Sequence, residues 1–594
     1  MKNNIKGLKD YLKKDNYFIS YLLTLLLITV IITYYKIQVQ MTMGPMWDAF
    51  DFLANAKYFA GQGFGYIDPA RPPFLSFLTS LLFRAGFESE IAIFIVDGIL
   101  FILGVIGLYL FFNLRFKPLL SFIGSLFYVS FPVVLLWVGA GYTDVASASL
   151  SIWALYFTVL AVKRNSKFFY LSFPVFTLAF LSRFPSAVII FPLIFYLLIN
   201  DSIKRYIKDI GIGIILSLIL MIPEFIFLYN NFGNPILPIL GVYSATTVQV
   251  EGPRFAHNPE ILYYIKNSIY SLINLDFLNS PYWILRIIFA GIAVLIGYMI
   301  ILGTYINIRQ FLISRKERLN LKNLKNRKIL FLACFLVLFL ITFNKVNYLI
   351  SISIFSIISY ILYLVLRSDD LENLDLDMLF LLWLASYMIF HSVFSVKVIR
   401  YFIPMAPAIS YFVLMGLSGF TEKTKIKIRN SSIKNGIYIM VIFALLISSI
   451  QFVYQLEHDP IANGHNFNLK ISDNGQREFI TQNKNYSGEL YNEIYNTHNE
   501  LRMINSWMEN YDPDYRNKVI CADYFWPNLS WYFKTNIYAI NIDKRINPEI
   551  NDILSDSGVE YYIGLSSNLK LDNFETIATF KTRWSNIVIY KNIN

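Results

Sequence analysis

The sequence predicts a polytopic α-helical membrane protein with about 13 spanning helices and a small α/β domain at its C-terminal end. Three observations predict it. Apolar runs of about 18 residues or more recur through residues 1–454, each long enough to cross a hydrocarbon core of roughly 30 Å. Short basic loops separate alternate runs, as expected for loops kept in the cytoplasm. Beyond residue 455 the long apolar runs stop and polar, alternating segments take over.

Composition sharpens the exclusion. The 594 residues are 56% hydrophobic and only 15% charged, against roughly 25% charged in soluble domains, and the mean hydropathy is +0.49. A water-soluble globular protein is excluded. The net charge of +11 does not mark a nucleic-acid binder, because the excess sits in short loops between apolar runs. Of the two cysteines, Cys334 lies in an apolar run and Cys521 in the polar C-terminal part, so no disulfide is expected between them.

The elements follow in order. Lys2, Lys6, Lys9, Lys13 and Lys14 precede a first apolar run, Tyr17 to Tyr35. It is too long for a signal-peptide core and no small-residue cleavage site follows, so it reads as an uncleaved helix with a cytoplasmic N-terminus. A first exterior loop, about 38–90, holds an amphipathic helix over Met46 to Ala60 and a short interfacial segment over Pro73 to Phe83. Ile91 to Leu110 returns to Arg115 and Lys117. The third span leaves and ends near Gly139-Ala140-Gly141; the fourth starts after Asp144 and ends at Lys163, Arg164 and Lys167. Phe168 to Leu181 and Val188 to Ile199 are divided at Ser182-Arg183-Phe184-Pro185, where proline and arginine favour a turn over one long span.

Lys204, Arg205 and Lys208 mark the cytoplasm again, and Ile210 to Tyr229 leads to a second exterior loop, about 230–280. The next span returns to the most basic loop, Arg309 to Lys328. Ile329 to Thr342 and Tyr348 to Val365 follow. The loop Arg367 to Asp377 is acidic, which counts little in the charge rule. Met378 to Phe394 exits, the next span returns to Lys423, Lys425, Lys427 and Arg429, and Ile437 to Val453 exits for the last time. The spanning domain is thus 1–454 and an exterior domain is 455–594, in a multi-pass protein of the cell membrane. In that domain Val519 to Ala522, Val559 to Ile563 and Asn586 to Tyr590 read as strands, and Pro548 to Asp556 as a helix. Asn485 and Asn528 head glycosylation sequons.

Seven charged residues stand out by position. Asp48, Asp51, Arg71, Asp144, Arg183, Lys397 and Arg400 lie at the ends of different apolar segments, yet the loop charges put all of them on the exterior side. Structure alone does not require carboxylates and guanidiniums at one water-facing rim; an enzyme that handles a phosphate-bearing lipid does. On a helix over Met46 to Ala60, Asp48 and Asp51 share a face at i and i+3. That spacing fits first-turn carboxylates steadied by the helix dipole. It fits equally a base that deprotonates an acceptor while a second acid orients it. Asp144 reads as a helix cap as well as a functional acid, and Arg183 as a snorkelling arginine as well as a substrate contact. Arg400 offers a planar fork to a phosphate, and Lys397 a point charge. Helix anchoring is the weaker reading of that pair, because basic residues are expected inside. Glu251, Arg254 and His257 fit a solvated loop better than a substrate site, with His257 kept as a candidate contact.

The stretch from Trp47-Asp48-Ala49-Phe50-Asp51 to Arg71-Pro72-Pro73 resembles the first exterior loop of GT-C glycosyltransferases. The nearest branches are the protein O-mannosyltransferase-like and aminoarabinose-transferase-like ones. Asp48, Phe52, Ala56, Gly61 and Arg71-Pro72-Pro73 match the family pattern in order, while Ala49 stands where glutamate is common. Gly141-Tyr142-Thr143-Asp144 resembles the second acidic motif, Phe180 to Pro185 a family turn, and Ser395 to Pro407 the late basic segment.

The resemblance implies an inverting transferase that moves a sugar from a polyprenyl or dolichyl phosphate to a protein, lipid or glycan acceptor. It implies Asp48 as base, Asp51 or Asp144 as second acid, and Arg71, Lys397, Arg400 and Tyr401 at the donor phosphate. No cofactor or metal ligand is implied; a divalent cation is allowed but not required, since no tight Asp-x-Asp is present. No Gly-rich phosphate loop marks a nucleotide-sugar site. Two rivals stay open. A transporter or flippase for polyprenyl-linked saccharides should show repeat-related broken helices and midplane charge. An oligosaccharide ligase using a diphosphate lipid would be served by the same cations.

Overall fold

The computed structural model describes residues 17–46, 48–63, 67–236, 240, 260–274, 283–316, 325–367, 373–394, 396–423, 431–458, 469–471, 477–479, 498–522, 526–539, 547–564, 571–581 and 586–593. The chain divides into two compact units. The first comprises Met1–Lys36, Asp97–Val138 and Thr143–Gln455; the second comprises Ile37–Val96, Gly139–Tyr142 and Leu456–Asn594.

The first unit is helical. Among the described residues of the whole chain, nine helices are long and apolar enough to cross a membrane, from Phe18–Met43 to Ile433–Leu456. Shorter apolar helices, among them Pro118–Ser130 and Ser166–Ser182, accompany them. The chain is a multi-pass integral membrane protein. The expected third span is not one helix but two, Pro118–Ser130 and Pro132–Trp137, with Phe131 extended between them. Pro132 has no N–H to donate and disfavours the helical conformation of the residue before it. The turn expected at Arg183 is present: a helix ends at Ser182, Arg183 is extended (φ −159°, ψ 114°), and a 3-10 segment starts at Phe184.

Two acids at the end of the acidic stretch, Asp375 and Asp377, are paired. Lys163 lies 3.1 Å from Asp375, which also accepts from the Tyr196 hydroxyl at 2.8 Å. Arg115 pairs with Asp377, and the Tyr411 hydroxyl donates to the same carboxylate at 2.5 Å. Asp375 and Asp377 therefore share a rim with Arg115 and Lys163, the residues that mark two basic loops. Elsewhere in this unit, helices Trp283–Lys316 and Ala406–Lys423 meet backbone to backbone. A Cβ at Gly303 would strike the Gly416 carbonyl, the close approach that small residues allow between membrane helices.

The second unit joins residues 37–96, as one set of contacts, with the polar C-terminal part. The strands are β1 (Leu469–Ile471), β2 (Arg477–Phe479), β3 (Ile520–Ala522), β4 (Ile537–Ala539), β5 (Tyr561–Gly564), β6 (Phe574–Lys581) and β7 (Asn586–Asn592). The last five form one sheet in the order β4-β3-β5-β7-β6. β3 is parallel to β4 and β5, and β7 is antiparallel to β5 and β6. Parallel neighbours need crossovers, and helices Trp526–Phe533 and Asn547–Asp556 lie in the two connections. Ile550 and Leu554 cover Cys521, Tyr562, Val588 and Tyr590 in the core on that side. Both cysteines are free thiols.

The Trp526–Phe533 helix docks on the first-loop helices. Tyr532 meets Phe50 edge to face at 5.7 Å, and Trp531 stacks on Phe83 at 6.1 Å. The Trp531 indole N–H donates to Glu90 at 3.0 Å. Asn528, head of one sequon, sits inside this helix and is only 4% exposed, so in the folded chain it is no glycan acceptor. Asn485 lies outside the described residues.

Candidate functional site

In the second unit the acids open a helix, Asp48–Ala60, with Asp48 and Asp51 in its first turn. Arg71 reaches both. Its Nη2 donates to Asp48 Oδ1 at 3.1 Å and to Asp51 Oδ2 at 2.5 Å, and its Nε donates to Asp68 Oδ2 at 3.1 Å. Burial works against this cation, but Asp48, Asp51 and Asp68 together outweigh it and hold the guanidinium pKa above its ordinary value. The two acids are not equivalent: the Asp48 side chain is 24% exposed and that of Asp51 10%.

A turn places Arg71. The Arg71 N–H donates to the Asp68 carbonyl at 3.1 Å, and the Ala70 N–H donates to the Asp68 carboxylate at 3.0 Å, as an Asp-Pro turn favours. Asn55, one helical turn beyond Asp51, clamps both backbone groups of Asp68. Its amide donates to the Asp68 carbonyl at 2.8 Å, and its Oδ1 accepts from the Asp68 N–H at 2.9 Å. Asn55→Ala should therefore leave the turn unanchored and cost about 1–3 kcal/mol. Expected readouts are a lower midpoint of thermal unfolding and a lowered activity; an unchanged midpoint would remove Asn55 from this role.

A cavity of ≈420 Å³ lies over the acids. Asp48, Asp51, Asp68 and Arg71 line it, with Ile67, and the start of the Trp526–Phe533 helix supplies the rest.

The first unit holds a second charged cluster. Asp144 sits in the first turn of helix Thr143–Lys163 and is fully buried. Arg183 Nη1 donates to its Oδ2 at 3.0 Å, and Arg400 Nε lies 3.9 Å from the same oxygen. Arg400 belongs to the 3-10 segment Ile399–Met405, which carries Tyr401 beside it. The Arg183 guanidinium lies 4.9 Å from the Tyr401 ring centre. That of Arg400 lies 5.6 Å from Trp137 and 5.9 Å from Tyr401. Such contacts stabilise a cation away from water. Lys397, on the same stretch, is buried and donates to the Phe394 carbonyl at 3.0 Å. Burial lowers its ammonium from the usual range to about 8.

Of the residues singled out in the sequence, Asp48, Asp51 and Arg71 thus meet in one cluster. Asp144, Arg183, Arg400 and Tyr401 meet in the other, with Lys397 on the same backbone segment. His257, Glu251 and Arg254 lie outside the described residues. Sequence reasoning missed Asp68, for which the Asp-Pro dipeptide was a signal. It also missed His391, whose buried ring stacks on Tyr401 at 4.6 Å; a lone histidine at the end of an apolar helix carries no local signal.

Comparison with known proteins bears on the whole arrangement. Residues 70–227 match the family model for dolichyl-phosphate-mannose-protein mannosyltransferase. The solved structure of ArnT from Cupriavidus metallidurans bound to undecaprenyl phosphate superposes with a TM-score of 0.55, covering 95% of this chain and 97% of that one at 10% identity. The chain has the GT-C fold. A further GT-C structure is the archaeal oligosaccharyltransferase AglB from Archaeoglobus fulgidus, in complex with an inhibitory peptide and a dolichol-phosphate. It superposes with a TM-score of 0.50 at 13% identity, covering 93% of this chain and 70% of AglB. No curated protein matches the chain in sequence. The segment matched by the family model includes Arg71, Asp144 and Arg183, while Asp48, Lys397 and Arg400 lie outside it.

Proposed function

We propose that the chain is an inverting glycosyltransferase that moves a sugar from a polyprenyl-phosphate donor to an acceptor hydroxyl at the exterior face of the cell membrane. In this reading the N-terminus is cytoplasmic, residues 1–454 form the membrane domain and residues 455–594 an exterior domain. The observation that carries it is the carboxylate pair held by Arg71 at the floor of a cavity. The GT-C fold and the mannosyltransferase family match support the reaction class. The undecaprenyl phosphate in the ArnT structure and the dolichol-phosphate in the AglB structure support a lipid-phosphate donor.

Asp48, the more exposed acid, is the base. It takes the proton of the acceptor hydroxyl as that oxygen bonds to the anomeric carbon from the face opposite the phosphate. The bond from that carbon to the phosphate oxygen breaks, and its electron pair leaves with the polyprenyl phosphate. Lys397 and Arg400, with Tyr401 beside them, take the charge that grows on the leaving group. Arg71 orients both acids. Asp51 holds Arg71, and Asp144, paired with Arg183, orients Arg400.

The test is donor consumption by the full chain in proteoliposomes. Undecaprenyl- and dolichyl-phosphate-linked labelled sugars would be supplied, with diphosphate-linked sugars alongside. Consumption of a monophosphate-linked donor with inverted product is expected. Consumption of diphosphate-linked donors alone would shift the reading to a ligase, and movement of intact donor across the bilayer to a flippase.

The same assay carries a pH expectation. Lys397 is a cation below about pH 8 and loses its proton above it. Donor kcat/KM should then fall by up to about tenfold per pH unit above that point. Lys397→Arg, whose charge persists, should lack this limb; a wild-type profile flat through pH 9 would take Lys397 off the phosphate.

A further inference from the structure

The cavity over the acids has a wall that the proposed chemistry leaves unused. Trp526, Pro527 and Asn528 line it, from the first turn of the helix that follows β3. Trp526 and Pro527 are half-buried and Asn528 is buried. Their placement is fixed further along the helix, by Tyr532 against Phe50 at 5.7 Å and Trp531 against Phe83 at 6.1 Å. Lys57 closes the same contact, its ammonium 5.1 Å from the Trp531 ring centre. Because Phe50 lies on the helix that carries Asp48 and Asp51, the two walls are held in one packed body.

The chemistry of the lining selects its ligand. The polar wall has three carboxylates against one guanidinium, and Arg71 directs its bonds to those carboxylates. Such a lining repels an acceptor that carries phosphate, sulfate or carboxylate near its reactive hydroxyl. The other wall offers an indole and a proline ring, with a side-chain amide beside them. Flat apolar surface next to several hydrogen-bond acceptors is what a pyranose requires. Its C–H face covers the ring, and its hydroxyls donate to the carboxylates and the amide. A serine or threonine in a peptide has the hydroxyl but no such face. The volume of ≈420 Å³ falls within the roughly 300–1,000 Å³ of small-ligand pockets.

We infer that Trp526, Pro527 and Asn528 form the acceptor subsite, and that the acceptor is a neutral sugar residue presented hydroxyl-first to Asp48. This rests on the transferase reading above. The C-terminal part of the chain then sets acceptor specificity. The same sugar chemistry could be offered by a soluble glycan or by a glycolipid, and the test separates them.

The full chain in nanodiscs would be given a labelled polyprenyl-phosphate sugar that it consumes. The acceptors would be methyl glycosides of glucose, mannose, galactose and N-acetylglucosamine, the same sugars on diacylglycerol, and a Ser/Thr-rich peptide. Transfer to a neutral glycoside is expected, and the methyl or diacylglycerol form that reacts identifies the source. Trp526→Ala should raise the acceptor KM about tenfold or more, with donor KM and donor hydrolysis changed less than about twofold. Trp526→Phe should recover most of the loss, which a merely structural role would not predict. Saturation-transfer difference NMR with the methyl glycosides reads binding without turnover. The sugar ring protons should gain signal from the wild type and from Asp48→Asn, and lose it with Trp526→Ala. Transfer to the peptide alone, or a Trp526→Ala variant with unchanged acceptor KM, overturns the inference. If the wild type consumes no donor, the transferase reading fails by itself. The NMR arm then decides the sugar subsite: Trp526-dependent signal upholds it, and absence of signal overturns it.

Discussion

Asp48→Asn is expected to lower sugar transfer by about 10²–10⁴-fold, the range that a positioned general base contributes, while donor KM stays near wild type. Asparagine has nearly the shape of aspartate, and its amide oxygen can still accept from Arg71 Nη2, now 3.1 Å from Asp48 Oδ1. The cluster therefore survives the substitution and only the capacity to take a proton is lost. Asp51→Asn should cost less, about tenfold, because the more buried Asp51 acts on Arg71 rather than on the acceptor. Its bond to Arg71, at 2.5 Å, is the shorter of the two, so it positions the guanidinium that both acids share. The measurement is kcat and KM for donor and acceptor in both variants at matched expression. Full activity in Asp48→Asn would sink the mechanism, and a larger loss in Asp51→Asn would exchange the two roles.

How far this site could be read in advance depended on whether its signal was local. Asp48 and Asp51 declare themselves by their i, i+3 spacing at a helix start, and the helix is there, Asp48–Ala60. Asp68 lies three residues before Arg71, and its Asp-Pro step is a turn signal that the sequence reading passed over; only the fold reveals that its carboxylate joins the same guanidinium. Trp526 could not be found at all, because nothing near it in sequence refers to Asp48; docking of its helix on Phe50 brings it to the cavity. The fold divides the same way. Spanning helices are legible because twenty apolar residues have one stable use in a bilayer. The break at Pro132 was hidden by apolar residues on both sides. In the C-terminal sheet, β5 and β7 are rich in β-branched and aromatic residues and were anticipated. β4 has three residues, too few to show a period, and β6 is an edge strand with an irregular register between Thr576 and Ala578. Loop charge alone gave no partners for Asp375 and Asp377; the fold pairs them with Lys163 and Arg115.

Arg183→Ala should be the substitution most damaging to the fold among the charged residues singled out. Asp144 is fully buried, and Arg183 hydrogen-bonds its Oδ2 at 3.0 Å, whereas Arg400 lies 3.9 Å away. Removing Arg183 strands a desolvated carboxylate with its weaker counter-charge, at a cost of about 3–5 kcal/mol. The check is the midpoint of thermal unfolding in detergent, followed by size exclusion, for Arg183→Ala, Asp144→Asn and the double variant. Neutral asparagine needs no counter-charge, so Asp144→Asn should restore much of what Arg183→Ala loses, and the two effects should be non-additive. Additive losses, or an unchanged midpoint in Arg183→Ala, would show that Arg183 does not hold Asp144. The double variant also separates charge-holding from chemistry. If Asp144 serves by aligning Arg400 beneath the donor phosphate, a refolded double variant regains stability without regaining turnover, and Arg400→Ala matches its turnover loss at a smaller cost in stability.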